Sequence, residues 1–75
     1  MTATARAETI EALRRSRSLA IDTGKSLEHV RNHCFLIGNH AVAAETVEAK
    51  RVLWDLVKLL NGLLADESER AEGKS

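Results

Sequence analysis

Apolar positions recur at helical spacing along nearly the whole chain. At about 100° per residue, Ala3, Ala7, Ile10, Leu13, Ala20 and Ile21 fall on one face of a first segment, with Thr2 or Thr4 available to cap its start. A second segment carries Leu27, Val30, Cys34, Ile37 and Ala41 at alternating three- and four-residue steps, the narrow seam of a coiled coil, with Phe35 and Leu36 off that seam. In a third, Val42, Ala49, Leu53, Leu56, Leu60 and Leu63 form a stripe that Val52, Val57, Leu59 and Leu64 widen, while Arg51, Asp55 and Lys58 lie opposite. A stripe this broad can meet two neighbours. No stretch alternates apolar and polar residues long enough to read as a strand.

Two breaks interrupt the pattern. Asp22-Thr23-Gly24-Lys25-Ser26 reads as a stop and restart, because Gly24 suits the left-handed position after a helix and Ser26 suits the cap of the next. Gly38-Asn39 reads as a turn, with Asn39 capping the third helix. The expected fold class is therefore all-α: a two- or three-helix antiparallel hairpin that dimerises into a helical bundle. A single helical domain is expected over 1–66, with helices at about 4–22, 27–37 and 41–66, and a charged, fraying tail over 67–75. Its core or dimer seam is expected to comprise Leu27, Val30, Cys34, Ile37, Leu53, Leu56, Leu60 and Leu63.

Composition strengthens the helical reading and adds the expectation of self-association. Proline and tyrosine are absent and helix-favouring residues dominate. A chain of 75 residues buries a small fraction of its surface, and its one cysteine rules out an internal disulfide, so pairing with a second copy is the cheap remaining source of stability. A lone thiol, no apolar run behind Met1-Thr2-Ala3-Thr4-Ala5-Arg6, and a longest apolar stretch (Val52 to Leu64) broken by Asp55, Lys58 and Asn61 lead to the expectation of a cytoplasmic protein with no membrane partner. Basic and acidic residues both number 11, giving zero net charge, so no global field draws the chain to nucleic acid or lipid. The part from Met1 to His33 carries +2 and the remainder −2, an asymmetry suited to antiparallel pairing or to DNA contact.

Candidate chemistry is sparse. Gly24-Lys25-Ser26 copies the end of a phosphate-binding loop, but Leu19 stands where the loop needs its first glycine and no strand precedes it. His29 and His33 share a helical face at the spacing two imidazoles need for one metal ion, yet His40 lies about 10 Å further along the axis and no acid separates the pair. Cys34 falls in the seam, where a free cysteine packs as a small apolar residue, and His33 beside it points away, since neighbouring side chains diverge on a helix. No Ser-His-Asp set or carboxylate pair can be singled out. These readings predict no enzyme activity, no cofactor, no metal and no small-molecule substrate.

Contact surfaces are better marked. Trp54 lies about 100° from the centre of its stripe, with Val47 one heptad earlier on the same side, and exposed tryptophans are frequent anchors at interfaces. Arg14, Arg15 and Arg17 form the one basic cluster; Arg17 projects into the apolar stripe and is expected either to pair with a carboxylate such as Glu45 or Glu48 or, with Arg14, to meet a partner. The expected function is that of a small regulatory or adaptor protein, a homodimer that masks or bridges a larger protein through Trp54, Val47, Arg14 and Arg17.

The stretch from Leu19 to Asn32 resembles the helix-turn-helix signature of bacterial regulators: Ala20, Gly24 four residues on, Ser26 at a second cap and Val30 four residues later match its small residue, turn glycine, cap and core anchor. The resemblance implies an alternative function as a DNA-binding transcriptional regulator, in which Ser26, Leu27, Glu28 and Arg31 face the major groove while Arg14, Arg15 and Arg17 contact phosphate. Lys25 and His33 depart from the pattern, at a turn position and a core position that are usually apolar.

Overall fold

The computed structural model describes residues 2–73, and within them the chain is an all-helical hairpin of two long helices, α1 (Ala3–Leu36) and α2 (His40–Ala71). Each helix begins on a side-chain cap. The Thr2 hydroxyl accepts from the Ala5 amide at 3.0 Å, and the Asn39 side chain accepts from the Val42 amide at 3.3 Å. Between them, Gly38 takes a left-handed φ of +80°. Its amide donates to the Phe35 carbonyl at 3.2 Å while the Asn39 amide donates to Cys34 at 2.8 Å, the paired bonds that close a helix and reverse the chain. Gly38-Asn39 is thus a turn, and the helices return antiparallel: Arg6 reaches Glu67, Arg17 reaches Asn61 and Glu28 reaches Lys50.

The break expected at Asp22 to Ser26 does not occur; α1 runs straight through it and replaces the two helices expected at 4–22 and 27–37. Gly24 is buried rather than left-handed. A Cβ built on it would lie 3.5 Å from Leu53 Cδ2 and 3.5 Å from Trp54 Cζ2, so α2 packs its indole over this point of α1 and leaves room for no side chain larger than a methyl. Ser26 caps nothing, and Thr23 turns its hydroxyl back onto the Leu19 carbonyl at 2.8 Å, which keeps it within the helical ladder. The helix-weakening effect of one glycine, about 1 kcal/mol, is set against a long run of good helix formers and this packing.

The tail is also shorter than expected. α2 continues to Ala71, and Glu67 is held by Arg6 at 3.0 Å and by Arg70 at 2.7 Å. Lys74 and Ser75, the end of the expected fraying segment, lie outside the described residues.

The seam between the helices is a strict heptad on both. On α1 it runs through Ile10, Leu13, Arg17, Ala20, Gly24, Leu27, Arg31 and Cys34; on α2 through Ala43, Thr46, Lys50, Leu53, Val57, Leu60, Leu64 and Glu67; all of these are buried or half-buried. The α1 side contributes only small residues to the fully covered part, namely Ala20, Gly24 and Cys34.

The two glycines separate the turn reading from the packing reading. Gly24→Ala places its methyl at ordinary contact distance and removes a helical glycine, so the melting temperature followed by circular dichroism should rise, by the equivalent of about 0.5–1 kcal/mol. Gly38→Ala forces a side chain into the left-handed region and should lower it by about 1 kcal/mol. A drop for Gly24→Ala would restore the corner.

Candidate interaction surface

The seam uses one stripe of each helix, and both helices carry a second. On α2, Val52, Leu56, Leu59 and Leu63 repeat at steps of four, three and four, about 100° around from the seam. On α1, Ser16, Leu19, Thr23, Ser26 and Val30 do the same. Antiparallel pairing brings the two stripes to one face of the hairpin, where Ser16, Leu19, Ala20, Thr23, Leu53, Leu56 and Leu60 line an open groove of about 420 Å³. Neither stripe holds a charge over these spans. Leu19 is 68% exposed and Leu59 60%. Among the described residues, three large apolar side chains (Val57, Leu60 and Leu64) are buried and twelve are exposed, so the apolar surface is mostly still in water.

The expected seam divides accordingly. Cys34 and Leu60 are buried between the helices, and Leu27 and Leu53 are half-buried there. Val30, Ile37, Leu56 and Leu63 are exposed, because the hairpin centres on the stripe one position further round, through Val57 and Leu64. Heptad arithmetic on α2 alone fits both stripes; the split between them follows from which one meets Gly24.

The opposite flank is polar and pinned. The Lys50 ammonium donates to the Glu28 carboxylate, Arg17 Nη1 donates to Asn61 Oδ1 at 3.1 Å, and Arg6 meets Glu67 at 3.0 Å. Arg17 therefore pairs with neither Glu45 nor Glu48. Trp54 sits on this flank, 38% exposed, with its six-membered ring over Gly24, so the indole is partly committed to the hairpin itself. Val47 is exposed two turns nearer the chain reversal. Arg14 is exposed beside Arg17, ten residues from Gly24 along α1 and so about 15 Å from the Trp54 contact. The four expected partner-binding residues share a flank but make no single patch.

The residues of the DNA alternative lose their common geometry. Without a corner there is no separate recognition helix: Ser26 is exposed on the uncharged stripe, Arg15 is exposed and paired with Glu11 at 3.2 Å, and Arg31 is half-buried at the seam, its guanidinium 5.7 Å from the Phe35 ring centroid. His29 and His33 are both exposed, His40 meets Phe35 edge-on at 5.5 Å, and among the described residues no three His, Cys, Asp or Glu side chains converge on a point that could hold a metal ion. Nor, among them, is any helix long and apolar enough to cross a membrane. The chain matches no protein-family model, no curated protein and no solved structure.

Electrostatics on the pinned flank give a pH dependence. The hydrogen bond from Lys50, with the charge behind it, holds the Glu28 carboxyl below its ordinary value of 4.5. A depressed folded-state value means that this stabilisation is present above the unfolded value and is lost as pH falls through the folded one. Thermal melts from pH 7 downward should show stability declining below about pH 4.5, and Glu28→Gln should start lower at pH 7 and decline less steeply. An identical acid slope in the two proteins would remove this ion pair from the hairpin's stability.

Proposed function

We propose that this chain is a non-catalytic regulatory or adaptor module that works by protein contact, pairing with its own copy and masking or bridging a larger partner. One observation carries the reading: a continuous uncharged apolar face, with Leu19, Val52, Leu56, Leu59 and Leu63 exposed, on a chain whose largest side chains stay outside its own core. Apolar surface gathered on one side in this way usually marks a contact site. The polar flank, with Trp54, Val47, Arg14 and Arg17, is then the surface that remains for a larger partner once the apolar face is covered. Contact with DNA has weaker support, since the resemblance that suggested it depended on a turn at Gly24.

The reading is tested by capture from the native host with the intact chain and with the Leu56→Glu/Leu63→Glu variant, followed by mass spectrometry and sedimentation. The intact chain should retain a stoichiometric protein, itself included, that the variant releases, while both keep their helical circular dichroism. If the intact chain sediments as a monomer and retains nothing that the variant loses, the face is not a contact site.

A further inference from the structure

The occupant of the apolar face can be named from the edge that borders it on α1. Next to the stripe, at seven-residue intervals, stand Glu8, Arg15, Asp22 and His29. Acid and base alternate, so the edge is its own complement when run antiparallel against itself: Arg15 then opposes Asp22, and Glu8 opposes His29, twice each across a two-fold axis. The stripe behind the edge is built for the same approach, because Ser16, Thr23 and Ser26 are small enough for two helices to pack closely around Leu19.

The levels agree on the second helix. Gly24 faces Leu53 and Trp54, and Arg17 faces Asn61, which puts Leu19 level with residues 58–59 of α2. An axis through Leu19 and across the chain therefore passes beside Leu59, which meets its own copy there, with Leu56 and Leu63 of both copies flanking it on either side. The hairpin measures 54 × 16 × 13 Å, so a copy laid along its whole length would cover roughly the 800 Å² per partner that a stable interface of standard size buries, with the uncharged stripes, about 21 Å long, forming the middle of that area.

We infer that a second copy of this chain covers the face, related by a two-fold axis perpendicular to the helices, so that the turns lie at opposite ends of an antiparallel four-helix bundle with Leu19, Leu56, Leu59 and Leu63 in its core. The alternative two-fold, parallel to the helices with both turns at one end, sets α1 against α2 and brings Asp22 level with Asp55, like charges at mid-length. The perpendicular axis leaves Glu48 against Glu69, once on each side of the axis, near the ends. Such flanking charges decide between otherwise similar packings. This inference rests on the contact reading above and adds the partner and its orientation.

Two variants of the full chain test it. Leu59→Glu should weaken self-association more than tenfold in analytical ultracentrifugation, against a species of twice 8.2 kDa for the intact chain. Leu19→Cys should form a disulfide-linked dimer under a mild added oxidant, whereas the natural chain, its Cys34 buried between its own helices, should not. A helical monomer at tens of micromolar would overturn self-pairing while leaving the contact reading to be judged by capture. A dimer in which Leu19→Cys fails to crosslink, but Leu19→Cys mixed with Leu59→Cys succeeds, would overturn the perpendicular axis.

Discussion

The close approach of two helices at Gly24 is the contact on which the rest of this molecule depends. Leu53 and Trp54 pack over Gly24, each 3.5 Å from the point where a Cβ would stand, and this packing goes with the inward turn of one of the two apolar stripes of α2. Val57, Leu60 and Leu64 then face Ala20 and its neighbours, and Leu56, Leu59 and Leu63 are left facing out. A larger residue on α1 at this level would push the helices apart and remove the difference between the stripes. The same contact keeps α1 in one piece, since a glycine that is packed has no need to end its helix.

A seam made this way is narrow. It takes small residues from α1 and admits polar ones at both ends, with Arg6 against Glu67 near the open end and Lys50 against Glu28 nearer the turn. Half-buried, partly solvated ion pairs of this kind are a weak source of stability. They are better understood as setting register: three contacts along one flank hold the helices level, and by doing so they align the uncharged stripes on the other flank into a continuous face. The polar flank and the apolar face are thus two consequences of one register.

Much of this was legible in the residues. Helical periodicity, the absence of proline and the Gly38-Asn39 pair yield an all-helical hairpin with its turn in place; Asn39 announces the second cap, and Thr2 or Thr4 the first, of which the structure uses Thr2. The breadth of the α2 stripe corresponds to the buried and exposed apolar sets into which the structure divides it. Two things were not legible. Gly24 next to Ser26 has the local chemistry of a helix end, and only the indole on α2 makes it a packing glycine, a fact about position 54 that positions 22–26 do not contain. Likewise Leu56 and Leu60 are equivalent to any period count on α2, and they separate into exposed and buried only when α1 chooses a stripe. The uncharged stripe of Ser16, Leu19, Thr23, Ser26 and Val30 was the available clue on α1, easily passed over because serine and threonine do not register as apolar.

A hairpin that leaves most of its large apolar side chains in water is proposed to draw its stability from a covered face. The most direct measurement is the melting temperature of the purified chain over a hundredfold range of concentration, because association that favours only the folded state makes the midpoint depend on concentration. The account predicts a midpoint that climbs steadily with concentration and a loss of helix on dilution. A midpoint that does not move, with full helicity retained in the most dilute sample, would contradict it.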